Sequence, residues 1–183
     1  AFEHGEFPPS HPFAKIAAMP SDVPAGQIWM LGSTLAGATI AAQLGVPYAF
    51  AGHVAMHHAA AAIAHYRASF SPSRARPSPY AMLAVTCVCA PTDDEAARLA
   101  APLRVAIVRN RTGRRGPIPT VEEALAYQMT PDEQAIADEF FTGAVIGSPA
   151  TVAAKLAALA TELGANELML STLLPSLDDR RRS

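Results

Sequence analysis

The sequence has 183 residues, of which 50% are hydrophobic and 16% are charged, and its formal net charge is −2. This composition allows one sizeable hydrophobic core, argues against a nucleic-acid-binding surface, and contains no apolar run near the roughly 18 residues that a membrane span needs. No charged segment followed by an apolar run, as in a signal peptide, is present. Cys87 and Cys89 are too close along a strand to form a disulfide with each other. We therefore expect a reduced, cytoplasmic protein without nucleic-acid or membrane partners.

The first predicted elements form a βαβ unit. Residues 1–27 are rich in proline and predict a connecting segment, and residues 28–31 predict a short strand buried on both faces. A helical pattern over residues 35–44 ends at Gly45, a typical C-terminal glycine. Residues 46–51 then predict a second buried strand. Two strands joined through one helix belong to a parallel sheet.

Ser33 and Thr34 lie where the first predicted strand ends and the helix begins. Free backbone N–H groups and the helix dipole favour an anion at such a position. Either hydroxyl is also a good helix cap. The local pattern therefore leaves two alternatives open, a helix cap and a phosphate site.

The middle of the chain contains the longest strand candidate. Residues 58–70 predict a helix, and residues 80–90 are apolar and β-branched, which is typical of a strand. Thr92 and Glu95 have the spacing of a capping box that opens the next helix. We expect Pro102 to kink or split that helix.

A basic loop is predicted over residues 110–120, where Arg111, Arg114 and Arg115 lie among glycines and prolines. Such a loop could reach a phosphate, but a flexible, solvated loop is the interpretation that we favour.

The last third of the chain continues the alternation of helices and strands. Thr130 precedes a helix with proline at its first position, a second helix follows Gly147 and ends at Gly164, and residues 167–171 predict the last strand. The fold class is therefore α/β with a mainly parallel sheet.

Catalytic motifs are scarce. His53 and His57 are four residues apart, which on a helix would suit a metal, but no acidic residue stands near them and an ordinary loop pair is favoured. The sequence has no G-x-S-x-G, no P-loop and no G-x-G-x-x-G. Motifs alone leave the function open.

Three ordered segments resemble a known family. WMLGSTLAGATIAAQLGVPYAFAGH, then HYRASFSPS, and later AVIGSPATVAAKLAALATELGANELMLST are similar to the second half of the bacterial luciferase-like flavin monooxygenases. The resemblance implies a TIM-barrel-type fold in which residues 28–183 form the C-terminal half. We expect a half-barrel fragment with about four parallel strands and covering helices, because an entire (β/α)₈ barrel needs about 250 residues.

The resemblance also implies a flavin site and a reaction. Reduced FMN, supplied by a separate reductase, would react with O₂ to oxidise a small organic substrate. The residues that this implies for the flavin are Gly32, Ser33, Thr34, Gly37 and His53, with the phosphate beside Ser33 and Thr34.

The chain departs from the family pattern at two places. Gly37 stands where a small hydroxyl residue is usual, and Val54 and Met56 replace a phenylalanine and a proline near His53. A second hypothesis, which follows from the expected half-barrel and not from these departures, is a non-catalytic half-barrel that binds flavin or serves assembly. Open sheet edges would then pair with another copy or with a complementary half-barrel.

Overall fold

The computed structural model describes residues 7–16, 26–73 and 76–183. Most of the predicted connecting segment, residues 1–27, lies outside these ranges. The described elements, in chain order, are β1 (Met30–Gly32), α1 (Leu35–Leu44), β2 (Tyr48–Ala51), α2 (Gly52–Ala55), a 3₁₀ turn (Met56–His58), α3 (Ala59–Ala68), β3 (Ala81–Cys89), α4 (Asp93–Arg111), α5 (Val121–Ala126), α6 (Pro131–Phe141), β4 (Val145–Gly147), α7 (Pro149–Leu163), β5 (Glu167–Ser171) and α8 (Leu177–Arg182).

All the strand pairings are parallel, as the βαβ pattern predicts. β1 pairs with β2, β2 with β3, and β3 with β5, while β4 pairs with the carboxyl end of β3. Within the described residues, β1 and β5 each have one neighbouring strand. The five-stranded sheet is therefore open, and no strand in the described residues closes it into a barrel.

The main core lies between the sheet and helices α1 and α3. Tyr48 and Phe50 enter it from β2, and Leu83 and Val85 enter it from β3. These are alternate positions on each strand, so one face of the sheet is buried against the helices. Ile63 of α3 is fully buried in the same cluster. Burial of a side chain of this size stabilises the fold by about 1.5–3 kcal/mol.

Three predicted elements are confirmed at their bounds. α1 ends at Gly45, where φ is +61°, and α7 ends at Gly164, where φ is +63°. Glycine adopts this left-handed conformation without the steric cost that a Cβ brings. β5 covers Glu167–Ser171, as predicted.

The prediction that residues 28–31 are buried on both faces is wrong. β1 begins only at Met30, and the side chains of Ile28 and Leu31 are 58% and 67% exposed. The reason is tertiary, because the face of β1 that carries Leu31 has no element packed over it in the described residues.

Of the two outcomes expected at Pro102, a kink or a split of the helix, the split does not occur. α4 runs without interruption from Asp93 to Arg111, and the Pro102 side chain is fully buried inside it. Packing of the ring offsets the missing N–H of proline, and the hydrogen bonds on either side maintain the helix. The same helix occupies the first two positions of the loop predicted over residues 110–120. At its start, the Thr92 hydroxyl accepts a hydrogen bond from the Glu95 N–H at 3.2 Å.

Both cysteines are free, as predicted. Cys87 and Cys89 belong to one apolar cluster with Val145 and Val152, which places them on the same face of β3. Burial raises the pKa of the Cys87 thiol. Cys87 therefore contributes to packing as a protonated thiol.

Candidate functional site

A cavity of about 450 Å³ lies beyond the carboxyl ends of β1 and β2. This edge of a parallel sheet is where α/β folds place their binding sites. Four segments form the cavity wall: the β1–α1 loop (Ser33, Thr34), the segment after β2 (Gly52, Val54, Ala55, Met56, His57, His58), the end of α4 (Arg111) and one face of α6 (Ile136, Glu139, Phe140).

Thr34 is the N-cap residue of α1, but its side chain does not cap the helix. Its backbone is extended, with φ −139° and ψ 165°, and its hydroxyl makes no cap hydrogen bond. The first turn of α1 also contains no acidic residue. The two alternatives for this position were a helix cap and a phosphate site. The Thr34 hydroxyl does not serve as the helix cap. The helix terminus still has N–H groups that can donate hydrogen bonds to an anion.

Gly32 and Gly37 lie where β1 and α1 approach most closely. A Cβ on Gly32 would lie 3.3 Å from the Cα of Gly37 and 3.3 Å from the Tyr48 phenol oxygen, and a Cβ on Gly37 would lie 3.3 Å from the Cα of Gly32. Neither glycine lines the cavity. Gly32 and Gly37 allow α1 to pack closely on β1. Their assignment to the flavin site stays a prediction.

Tyr48 lies behind the β1–α1 loop, and no sequence pattern singles it out. It is fully buried, and its phenol donates a hydrogen bond to the Thr34 carbonyl at 3.2 Å. Burial raises the pKa of Tyr48 to about 12, so the phenol remains a donor at neutral pH. Tyr48 therefore anchors the loop that presents Thr34 to the cavity.

The histidines after β2 lie on two different elements. His53 lies in α2 and His57 in the 3₁₀ turn, where its ring centroid is 4.0 Å from that of His58. Among the described residues, no group of three or more His, Cys, Asp or Glu side chains could hold a metal ion. His57 and His58 line the cavity and His53 does not, although the His53 Nδ1 is buried without a hydrogen-bond partner in the described part of the chain.

Arg111 reaches the cavity because α4 and α6 run antiparallel. Arg104 of α4 pairs with Asp138 of α6, whereas Arg114, just beyond α4, pairs with Glu133 near the start of α6. Arg111 lies between these two ion pairs along the chain. The sequence identified Arg111 as a candidate for a phosphate but could not show that α6 would pack beside it.

Residues 110–118 are exposed, as the favoured interpretation of a solvated loop expects, but Arg114 is held by an ion pair with Glu133. The Glu133 carboxylate, which is buried, accepts from the Arg114 guanidinium, from the Tyr127 hydroxyl at 2.9 Å and from the Thr130 N–H at 3.0 Å. The bond to Arg114 is the largest cause that lowers the pKa of Glu133 to about 2. This charged network fixes the start of α6 and thereby one wall of the cavity.

Comparisons with known proteins identify the family of the chain. The family model for luciferase-like monooxygenases matches residues 3–167. The Bacillus subtilis (strain 168) protein YceB is 34% identical over 163 residues, which are 89% of this chain and 49% of that protein. An Escherichia coli (strain K12) luciferase-like monooxygenase is 33% identical over 144 residues, 79% of this chain and 43% of that protein. The chain belongs to the luciferase-like monooxygenase family.

Solved structures support the fold. The structure of apo-MsnO8 matches with a TM-score of 0.84 and 33% identity, over 92% of this chain and 51% of that chain. The oxygenating constituent of a Pseudomonas putida 3,6-diketocamphane monooxygenase, solved in complex with FMN, matches with a TM-score of 0.52 and 19% identity, over 91% of this chain and 46% of that chain. This second likeness shows the fold alone. The chain spans about half the length of the curated relatives described above.

Every helix in the described residues is too short or too polar to span a bilayer.

Proposed function

We propose that the cavity binds FMN, with the phosphate beside Ser33 and Thr34. We propose further that the protein oxidises a small organic substrate with O₂ and reduced FMN from a separate reductase, in the cytoplasm. The observation that carries the proposal is a helix N-terminus with a non-capping Thr34 hydroxyl, which shares one cavity with Arg111.

The chemistry of these groups fits a phosphate. α1 has ten residues, so its dipole and its free N–H groups favour an anion at Thr34. The Arg111 guanidinium adds a positive charge to the same cavity. One carboxylate, Glu139, also lines the cavity, but it belongs to α6 and not to the phosphate loop.

The remaining residues would serve the isoalloxazine and the substrate. When bound, the flavin supplies the redox chemistry, and the protein supplies binding, orientation and exclusion of water. Val54, Met56 and Phe140 present apolar side chains to the cavity, which suits the exclusion of water. Tyr48 contributes indirectly, because it fixes the Thr34 backbone through its phenol.

The test compares FMN with riboflavin, which lacks the phosphate. Thr34→Ala should weaken FMN binding by about 1.5–3 kcal/mol, the range for a hydrogen bond to a charged group, and should leave riboflavin nearly unaffected. Thr161→Ala is the matched control, because Thr161 is an exposed residue of α7 whose hydroxyl bonds only to the Ala157 carbonyl in the described contacts. Calorimetric titration measures both ligands. Equal losses for FMN and riboflavin would contradict a phosphate at Thr34.

A second candidate function is a non-catalytic half-barrel that serves assembly. The observation that favours it is exposed apolar surface on both outer strands, with Leu31 of β1 67% exposed and Met169 of β5 51% exposed. An unpaired strand edge is a template for another chain. We propose that a second copy or a complementary half-barrel covers these edges.

A further inference from the structure

We infer that two copies of the chain pair edge to edge, with β1 of each copy beside β5 of the other, and that the second copy completes the cavity beyond β1. The inference rests on the proposed function for what the cavity binds, because the same site is concerned. The partner at the sheet edges is then a second copy and not a different, complementary half-barrel.

Both outer strands leave a large apolar side chain uncovered on the same face of the sheet. Leu31 of β1 pairs in register with Ala49, and Met169 of β5 pairs in register with Ala84. Ala49 and Ala84 alternate with the core residues of β2 and β3, so they lie on the face opposite α1 and α3, which we call the inner face. Leu31 is 67% exposed and Met169 is 51% exposed, whereas Ala49 and Ala84 are buried. The uncovered apolar surface of the inner face is therefore concentrated at its two edges.

Neither edge has the features that keep an exposed strand from pairing. β1 (Met30–Gly32) contains no charged residue and no proline, and the only charged residue of β5 is Glu167 at its start. Exposed edge strands of natural proteins usually carry lysine, proline or a bulge, which prevents another strand from adding to them. Both edges are therefore suited to pairing with a further strand.

The number and direction of the strands favour a second copy as the partner. β1, β2, β3 and β5 lie side by side and are all parallel, while β4 pairs only with Cys87–Cys89 at the carboxyl end of β3. β5 of a second copy would continue the sheet beyond β1 in the same direction, and a twofold axis would repeat this seam at the other edge. Two sets of four parallel strands make eight, the number that closes a (β/α)₈ barrel, and no edge is left unpaired.

The second copy would also supply a wall of the cavity. Ser33 and Thr34 line the cavity directly after β1, and no lining residue comes from beyond the β1 edge in the described residues. β5 of the second copy, parallel to β1, would bring its own carboxyl end to this place. The segment after β5 is anchored by the Thr172 hydroxyl, which donates to the Cys87 carbonyl at 2.9 Å, and the next residue, Leu173, is 50% exposed. Leu173 of the second copy would then lie at the cavity beside Ser33.

Charge substitutions on the two edges test the seam. Leu31→Lys and Met169→Glu should each raise the dissociation constant of the dimer at least about 100-fold, because each places an unpaired charge in the seam. Both positions are exposed in the single chain, so the charges are compatible with its fold. An equimolar mixture of the two variants should dimerise within about tenfold of the original chain, since one seam of the mixed dimer is unchanged and the other joins opposite charges.

Leu125→Lys is the matched control. Leu125 is 58% exposed on α5, which packs on α4 and belongs to neither edge, so the dissociation constant should stay within about twofold. Sedimentation velocity of the full chain at micromolar concentrations measures the dimer, and circular dichroism checks the fold of each variant. A monomeric original chain, a dimer that tolerates both charges, or a mixture as weak as its components would overturn the seam.

FMN titration of the same proteins tests the cavity separately. The original dimer should bind FMN more tightly than either variant at concentrations where the variant is a monomer. Equal affinities would overturn the contribution of the second copy to the cavity. Dimerisation with the expected mixing pattern, but without FMN binding by the original chain, would support the seam and reject only the proposed flavin site.

Discussion

Replacement of Tyr48 by phenylalanine removes one hydroxyl from beneath the proposed phosphate loop. The ring is fully buried and packs near Phe50 and Tyr66, and phenylalanine keeps these contacts. The change therefore isolates the hydrogen bond from the phenol to the Thr34 carbonyl.

The expected cost follows from the partners of that carbonyl. The Thr34 oxygen accepts from Tyr48 at 3.2 Å and also from the Ala38 N–H at 3.4 Å, so it keeps one partner in the variant. We therefore expect Tyr48→Phe to lower the free energy of unfolding by about 0.5–1.5 kcal/mol, the net value of one hydrogen bond. FMN binding should also weaken, because the loop at Thr34 loses an anchor.

Tyr66→Phe is the matched control. The Tyr66 hydroxyl donates to the Val46 carbonyl at 2.9 Å and accepts from the Tyr80 N–H at 3.1 Å. Removal of this hydroxyl takes one hydrogen-bond partner from the Val46 carbonyl and from the Tyr80 N–H. We therefore expect the free energy of unfolding to fall by more, about 2–3 kcal/mol, with no selective effect on FMN binding. Urea denaturation followed by circular dichroism measures both variants. A larger loss for Tyr48→Phe than for Tyr66→Phe would refute the reasoning.

Two further predictions concern a helix junction and the sheet edges. The Asp93 carboxylate accepts from the Ser148 N–H at 2.6 Å and from the Thr151 hydroxyl at 3.2 Å, and these bonds lower its pKa. The original chain should be more stable than Asp93→Asn above the ordinary pKa of the carboxyl, and this difference in stability should decline as the pH falls through the lowered pKa. Thermal melts at several pH values measure the difference. A difference that stays constant with pH would contradict the prediction. For the edges, sizing at micromolar concentration should give a dimer, a larger assembly or a complex with a complementary half. A monodisperse monomer with a cooperative melt would count against edge pairing.

Much of the fold could be predicted from the sequence because its signals are local. The bounds of α1 and α7 follow from helical periodicity and from a terminal glycine, and these depend on neighbours within one or two turns. β4 was not predicted, because three residues are too short for a period and β4 exists only through its pairing with Cys87–Cys89. The 67% exposure of Leu31 could not be predicted for a related reason, since a buried strand and an open edge strand can have the same apolar sequence.

The candidate site also has one part that local sequence patterns predict and one part that depends on tertiary packing. The sequence by itself determined that Ser33 and Thr34 follow a strand and precede a helix, because a strand, a turn and a helix in succession place them there. Only the tertiary structure decided that Arg111 shares their cavity and that Tyr48 supports Thr34. Such contacts join segments that are far apart in the chain, and the packing of α6 beside α4 and of α1 on β1 brings them together. No local pattern records these distances, because they depend on how all the helices and strands pack at once.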